Sequence, residues 1–335
     1  MSVFNKTQFT LKRKRKLLPT LPPEEMTPED RANANDKNDS DKELNEEIIP
    51  APVLPDKMPT YFHIGVLAKE CLVNGYKIGA WHFDCTTDIG DNLALYSFAT
   101  GKPQFKTVFG GVGAREYLGN LSLTQVWMTD GLVGMVGLEN ELYGGTANTL
   151  LRAAYEQNDR SGVKVELHSG YEVTPFKFHM IIPVLREPKL MGYVLLNPFK
   201  QYLLAYRAVY DIENKGFDKH AIGLGFYNGS TEWSLKLENF EDLRGSVFQR
   251  LGDRFAIAAK VNCYKSEEKQ YAIGAQVTLF ENVIIKAKYR HDGFFGMVYQ
   301  QTLNDNIAIM YHFGFAIKDP FKGDHKFGLS WSMRA

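Results

Sequence analysis

The feature that most constrains this chain is an alternation of apolar and polar residues with a period of two, recurring from residue 77 to residue 335. In VIIKAKYR at 283–290, apolar residues alternate with Lys286, Lys288 and Arg290. The pattern repeats in KIGAWHFDCT at 77–86, GVKVELHSG at 162–170, FKFHM at 176–180 and TEWSLKLEN at 231–239. Turn-forming sequences such as TDG at 129–131 and YNGS at 227–230 separate the segments. The chain is therefore predicted to be all-β, with one apolar and one polar face on each strand.

Alternation alone fits both a soluble two-sheet sandwich and a membrane barrel, because each has one apolar and one polar face per strand. Length favours the barrel: about 260 residues, at about 9–11 per membrane strand plus turns, make roughly 18–20 strands. A closed barrel also leaves no strand edge unpaired. The sequence thus predicts an all-β transmembrane barrel, with a soluble β protein as the alternative.

The cost of charge in lipid predicts which strand face is inward. A Lys or Arg that faces lipid at the bilayer midplane costs about 2–4 kcal/mol, so the charged faces should line an aqueous lumen. The predicted pore-lining charges are Asp84, Lys164, Glu166, Lys177, Arg207, Asp211, Glu232, Lys236, Glu238, Lys286, Lys288 and Arg290. Basic groups slightly outnumber acidic ones in this set, which predicts a weak anion preference. The formal net charge of zero argues against a nucleic-acid partner.

The first 76 residues differ from the rest of the chain. Residues 1–58 hold 10 basic and 11 acidic side chains, seven prolines and no glycine, which predicts a disordered charged extension. Residues 59–76, PTYFHIGVLAKECLVNGY, have the spacing of one amphipathic helix, with Thr60 as its N-cap and Gly75 as its stop. Residues 77–335 form the predicted barrel. We find no secretory signal and no apolar run long enough for a spanning helix.

Sequence signatures of catalysis are absent. We find no nucleophile elbow, no phosphate-binding loop and no HExxH, and the three cysteines and eight histidines show no metal-ligand spacing. We therefore expect neither an enzyme nor a bound cofactor or metal.

Several segments resemble the eukaryotic mitochondrial porins, the voltage-dependent anion channels. PTYFHIGVLAKECLVNGYKIG at 59–79 is similar to that family's pore helix and the start of its first strand. LSLTQVWMTDG, LENELYGG, GSVFQRLGDRFAIAAKVN and GMVYQQTLNDNI are similar to later family segments in the same order. HKFGLSWSM at 325–333 resembles the carboxy-terminal sorting signal of mitochondrial barrels, carried here by Lys326, Gly328, Trp331 and Met333. The resemblance covers about residues 59–335.

The resemblance implies a barrel of 19 strands, antiparallel apart from the closing pair, with its amino-terminal helix inside the pore. The pore-helix residues are then His63, Leu67, Lys69, Glu70 and Cys71. It further implies a voltage-gated channel of the mitochondrial outer membrane that passes ions and metabolites, including adenine nucleotides. Membrane lipids are expected to surround it, and a second copy or other outer-membrane proteins stay open as partners.

Two departures separate this chain from the family pattern. Gln125 stands where relatives carry a lipid-facing glutamate, and YGGTAN at 143–148 replaces a Gly-Leu-Lys triplet proposed to contact nucleotides. In the pore helix, His63, Val66 and Asn74 also take positions that are polar in the family. This altered helix, together with the long extension, favours an alternative function: a poorly conducting barrel that acts as a scaffold or docking protein.

Overall fold

The computed structural model describes residues 57–102, 108–157, 162–186, 188–263, 269–318 and 325–335, and these residues form one sheet of 19 strands. The strands are β1 Trp81–Ile89, β2 Leu93–Gly101, β3 Val108–Leu118, β4 Leu121–Met128, β5 Gly131–Leu142, β6 Gly145–Glu156, β7 Gly162–Val173, β8 Phe176–Leu185, β9 Lys189–Phe199, β10 Tyr202–Asp211, β11 Gly216–Tyr227, β12 Thr231–Glu238, β13 Asp242–Leu251, β14 Phe255–Cys263, β15 Gln270–Phe280, β16 Val283–Arg290, β17 Phe294–Asn304, β18 Ile307–Ala316 and β19 Lys326–Arg334. Their lengths suit tilted strands that cross a bilayer.

The sheet closes on itself through its first and last strands. Each strand pairs antiparallel with the next, and β1 pairs parallel with β19 over six residue pairs, from Trp81↔Leu329 to Thr86↔Arg334. The closing pair is parallel because an odd number of alternating strands leaves the first and the last running in the same direction. The prediction of a closed barrel, antiparallel except at the closing pair, is confirmed, and a two-sheet sandwich is excluded.

The outer face of the barrel is apolar and widely exposed. Val112, Trp127 and Leu132 share one outward-facing row across β3, β4 and β5, and each is 41–56% exposed. Phe217 and Phe327, near strand ends, are 66% and 69% exposed. Soluble proteins rarely expose a contiguous apolar surface of this extent, whereas a barrel in lipid requires it. Within the described ranges, no helix is long and apolar enough to cross a membrane.

The predicted helix at 59–76 is shorter in the structure, which is a correction. A 3₁₀ turn, Tyr61–His63, comes first, and α1, Val66–Leu72, follows it. Two local features divide them: Ile64 is extended, and Gly65 has φ +78°, a left-handed conformation that suits glycine. Thr60 is the N-cap residue of the 3₁₀ turn, not of an α-helix: its backbone N–H donates to His63 Nδ1 at 2.9 Å, and its Oγ1 lies 2.8 Å from the same nitrogen.

Two buried hydrophobic clusters lie between this amino-terminal stretch and the barrel's inner wall. One cluster joins Met58, Tyr61, Phe62 and Ile64 to wall residues of β9, β10 and β11. The second joins Ala68, Cys71 and Leu72 of α1 to β13, β14 and β15, through Phe248, Ala256, Ala258 and Ala272. Of the predicted extension, residues 1–56 lie outside the described residues, whereas Lys57 and Met58 already contact the barrel.

Candidate functional site

Residues 57–80, here called the inner segment, cross the lumen from one mouth to the other. The mouth that holds the chain's last residue is here called the C-terminal mouth. All odd-numbered strands end at this mouth, because β1 and β19 are parallel and all other neighbouring strands are antiparallel. Lys57 Nζ contacts Glu139 near the end of β5 at 2.8 Å, so the inner segment starts at that mouth. Ala80 precedes β1, which begins at the opposite mouth.

Next to Lys57, a charged clamp holds the main chain of Met58. Lys177 Nζ donates to Met58 O at 3.0 Å and to Glu172 Oε2 at 2.7 Å, while Met58 N donates to Glu172 Oε1. Lys177 is only 9% exposed. The clamp thus satisfies both backbone groups of Met58 with a wall ion pair.

An aromatic group fixes the 3₁₀ turn against β9 and β10. Tyr61 and Phe62 pack on Tyr193 with ring centroids 6.4 and 6.3 Å apart, and the Arg207 guanidinium lies 5.4 Å from the centre of the Phe62 ring. The His179 ring stacks on the Tyr193 ring, with the two ring centroids 5.3 Å apart. Arg207 therefore contacts the inner segment through a cation–π interaction.

Wall side chains cap both ends of α1. At its start, Gly65 supplies no side-chain cap, and Glu232 of β12 accepts hydrogen bonds from the backbone N–H of Leu67 at 2.8 Å and of Ala68 at 3.3 Å. At its end, Lys286 of β16 donates to Glu70 O at 2.7 Å and to Asn74 O at 3.3 Å. A carboxylate at the amino end and an ammonium at the carboxyl end complement the helix dipole and its unpaired backbone groups.

Glycines on the inner wall leave room for the inner segment. A Cβ added at Gly223 would lie 2.8 Å from Ile64 Cδ1, and one at Gly274 would lie 2.7 Å from Leu72 Cδ2. A Cβ at Gly328 would overlap the carbonyl oxygens of Lys77 and Ala80. Real Cβ atoms do not approach other atoms this closely. Glycine at these wall positions therefore makes the space that the inner segment occupies.

The strand registers put the predicted pore-lining charges on the inward side of their strands, but in two different environments. Lys177, Glu232, Lys286, Lys288 and Arg290 are only 5–9% exposed. The first four contact the inner segment: Lys288 Nζ, for example, lies 4.1 Å from the centre of the Tyr76 ring. Arg290 instead pairs with Asp292 in the turn after β16.

The remaining predicted charges lie mostly within small ionic groups. Glu166 contacts Lys164 at 2.8 Å and Arg152 at 2.9 Å, and Glu238 contacts Arg244 at 3.2 Å. Ser332 Oγ donates to Asp84 at 2.6 Å, and Lys236 Nζ lies 4.8 Å from the centre of the Tyr61 ring. Asp211 lies at the end of β10, where it caps the following turn by accepting from the backbone N–H of Glu213 and Asn214 at 3.0 Å each.

The predicted pore-helix residues serve mainly to build the segment. Lys69 Nζ donates to Phe62 O at 3.1 Å, and His63 turns back onto Thr60. Leu67 and Glu70 contribute the backbone groups that the wall caps. Cys71 is fully buried, and burial raises the pKa of its thiol to about 11, partly offset by the positive charge of Lys286.

Sequence reasoning missed several inward charges. Arg115 hydrogen-bonds Thr124 at 3.2 Å, Arg152 joins Glu166, and Arg244 and Lys260 extend the basic inner surface of β13 and β14. Neighbouring residues hide the alternation at these places: Arg115 follows glycines in GGVGAR, and Arg152 lies in the otherwise apolar LLRAAY. When the inward and outward alternation of each strand is continued through its glycines and alanines, all four of these basic residues fall on the inward face.

The structure also places the residues of the predicted sorting signal and the predicted lipid-facing residue Gln125. On β19, Lys326 and Gly328 point inward, while Trp331 and Met333 point outward and are 37% and 39% exposed. Gln125 is exposed on the outer face of β4, between Ala114 and Gly134 of the neighbouring strands.

A closed single-sheet barrel with an apolar outer face, a charged inner face and its own inner segment defines a transmembrane β-barrel of the channel-forming class. A model of the eukaryotic porin family matches residues 57–328, and the chain belongs to that family. Porins are channels, so this membership places the protein among channels and not among enzymes. The match starts at Lys57, where the described structure also begins.

Curated relatives are similar over nearly their whole length but at low identity. The chain is 22% identical to the voltage-dependent anion-selective channel of Drosophila melanogaster over 285 residues, which cover 83% of this chain and 99% of that one. It is also 22% identical to the non-selective voltage-gated ion channel VDAC3 of Oryctolagus cuniculus, with the same coverage. Among solved structures, a mutant of the Rhodopseudomonas blastica porin aligns with a TM-score of 0.47 at 7% identity, over 65% of this chain and 89% of that one.

Proposed function

We propose that this protein is a diffusion channel of the mitochondrial outer membrane for ions and small metabolites, including adenine nucleotides, with a weak preference for anions. The observation that carries the proposal is the division of one closed sheet into an apolar outer face and a charged inner face. Nineteen strands enclose a lumen too wide for side chains alone to fill, so an aqueous passage follows unless something blocks it.

The position of the inner segment supports conduction past it. α1 packs against β13, β14, β15 and β16, on one side of the barrel. The wall across the lumen carries Lys164, Arg152 and Glu166 beside an inward apolar patch of Val126, Val133 and Ala154. α1 therefore narrows the lumen from one side, while the charged groups of β6 and β7 lie on another part of the wall.

Selectivity follows from the balance of charge that remains accessible. Lys236 and Arg244 are half-buried on the inner surface of β12 and β13, and Lys164 lies on the opposite wall, whereas Glu232 and Glu172 are engaged by the inner segment. Fixed positive charge attracts anions, but salt at physiological strength screens it within about 8 Å. The names of the relatives cover both behaviours, anion-selective and non-selective. We expect a reversal potential under a KCl gradient that indicates a modest excess of anion flux.

Planar-bilayer recording tests the proposal, with the full chain and a chain lacking residues 1–57 as the two samples. Large stepwise conductance from both, with voltage-dependent closure, is the expected result. Silence from both, together with a folded β signal in circular dichroism, would replace the channel with the scaffold or docking function. If only the shortened chain conducts, the extension blocks the pore in the full chain. A matched variant, Lys164→Glu, should lower anion selectivity without changing the number of conductance steps.

A further inference from the structure

An open groove lies on the outer face of the barrel, across β8, β9, β10 and the start of β11. Its volume is about 220 Å³. Gly192 and Ala208 pair in the strand register and form its floor. Both point outward, because the neighbouring Tyr193 and Arg207 point inward onto the 3₁₀ turn. A Cβ added at Gly192 would meet other atoms only at ordinary distances of 3.4–4.0 Å, so the protein leaves space above this glycine.

Large side chains form the two end walls of the groove. Toward the C-terminal mouth, one row crosses β8, β9 and β10 and consists of Phe178, Val194 and Tyr206. Toward the opposite mouth, the second row crosses β9, β10 and β11 and consists of Leu190, Tyr210 and Phe217. The two rows are four residues apart along β9 and β10, which is about 13 Å. The groove is therefore longer along the strands than one side chain.

A β-bulge between β10 and β11 completes the wall near the opposite mouth. The register shifts at Tyr210, which pairs with Phe217 and leaves Asp218 out of the ladder. Regular pairing would put Asp218 beside Tyr210 instead. Asp218 forms an ion pair with Lys189 at 2.8 Å, near the start of β9 and β11. The groove therefore runs from a pair of charged groups at the strand ends into the apolar zone of the outer face.

The chemistry of the groove favours hydrocarbon as its occupant. None of the described residues that line it is charged, and it is continuous with the apolar outer face that meets lipid. The outer surface of a second barrel is convex, so it would touch a concave groove mainly at its rim. The fused rings of a sterol cannot bend, whereas an acyl chain is flexible and can follow an uneven floor.

We propose that this groove is a binding site for one acyl chain of a membrane phospholipid. The chain lies over Gly192 and Ala208, between the two walls, and the headgroup lies at the level of Lys189 and Asp218. Lipid tails are as apolar as the groove, so close packing, and not the exclusion of water, distinguishes this chain from the surrounding lipid.

The test is photolabelling of the refolded full chain in phosphatidylcholine vesicles. A small fraction of the phosphatidylcholine carries a diazirine on one acyl chain, and mass spectrometry locates the adducts. We expect the adduct yield on outward residues of β8, β9 and β10 to be roughly fivefold above that on outward residues of β13 and β14 at the same depth. Ala208→Leu fills the floor and should remove most of this excess. Gly134→Leu, on the outer face of β5 with nothing within 4 Å, is the matched control and should leave it unchanged.

Equal yields around the barrel, or an excess that Ala208→Leu leaves intact, would overturn the proposal. Adducts that an added sterol displaces and unlabelled phosphatidylcholine does not would assign the groove to a sterol instead. Adducts that decrease as the protein-to-lipid ratio rises would assign it to a second copy of the chain. If Ala208→Leu fails to fold, the distribution of adducts on the unaltered protein decides.

The groove lies outside the lumen, so this measurement requires no conduction. A silent bilayer together with adducts confined to β8, β9 and β10 would overturn the channel alone. Conduction together with uniform labelling would overturn this site alone.

Discussion

At the scale of single residues, the inner segment depends on groups supplied by distant strands. α1 spans seven residues, too short to be stable in water by itself, and its own N-cap position is a glycine. Glu232 and Lys286 provide the charges that its two ends lack. A charge placed at a helix end contributes about 0.3–2 kcal/mol, so the two caps together are a substantial part of what keeps α1 docked.

Glu232→Gln should release α1 more often, because it removes the negative charge at the helix start. The readout is alkylation of Cys71, which is slow in the docked state since the thiol is buried and its pKa is raised to about 11. In a background with Cys85 and Cys263 changed to serine, we expect roughly 5- to 30-fold faster alkylation at fixed pH, which corresponds to about 1–2 kcal/mol. Glu238→Gln neutralises a carboxylate on the same strand that contacts Arg244, and should leave the Cys71 rate unchanged.

Gly223→Val tests the fit between the wall glycines and the inner segment. Its side chain would meet Ile64 within 3 Å, and overpacking of this kind costs about 1–3 kcal/mol. We expect a lower melting temperature and faster Cys71 alkylation. The second change Ile64→Ala should recover part of the loss by making space. Gly134→Val is the control, since nothing lies within 4 Å of that position; an equal loss there would show that any added β-branched residue is harmful.

At the scale of elements, the closing pair and the inner segment are built together. Leu329 N donates to Ala80 O at 3.1 Å, and Gly328 lies against the carbonyls of Lys77 and Ala80. Beyond the six parallel pairs, Asp88 N donates to Ala335 O at 3.0 Å and Arg334 contacts Asp88 at 2.8 Å. Pairing of β1 with β19 therefore requires that the residues just before β1 fit against the inward face of β19.

Gly328→Ala should impair barrel closure even without any cellular machinery. An added methyl would overlap backbone atoms, which cannot move aside as a flexible side chain can. We expect a reduced yield of folded protein when the purified chain is refolded into detergent or liposomes, measured by circular dichroism and protease resistance. Gly192→Ala, where the nearest atoms lie at ordinary distances of 3.4–4.0 Å, should refold normally. Normal refolding of Gly328→Ala, with loss of insertion in cells, would assign Gly328 to sorting alone.

Sequence periodicity predicted the barrel and the inward strand faces because both depend on neighbours two residues apart. It could not predict where the inner segment docks, since the cap of α1 comes from Glu232, 165 residues after Leu67. The same limit applies to Lys286, which the alternation places in open lumen and which the structure has beneath α1. The helix bounds have a local cause instead: apolar spacing continues from Ile64 to Leu72, but Gly65 adopts a left-handed conformation, so α1 begins only at Val66.

At the scale of the whole molecule, the route of the inner segment sets the mouth of the barrel at which Lys57 lies. Lys57 and Met58 are bound at the C-terminal mouth by Glu139, Glu172 and Lys177. β1, in contrast, begins at the opposite mouth, where β2 ends and its loop to β3 starts. The described chain therefore begins, at Lys57, on the side of Ala335 and not on the side where β1 begins.

An amino-terminal tag and a carboxy-terminal tag should consequently be exposed on the same face of a membrane. In proteoliposomes, external protease should remove both tags from the same fraction of molecules, whichever way the barrels inserted. A third tag in the β2–β3 loop, at the opposite mouth, provides the control and should be cut in the complementary fraction. If the amino-terminal tag instead followed the β2–β3 tag, the inner segment would not cross the lumen, and the contacts of Lys57 with Glu139 and of Met58 with Lys177 would not hold in the membrane.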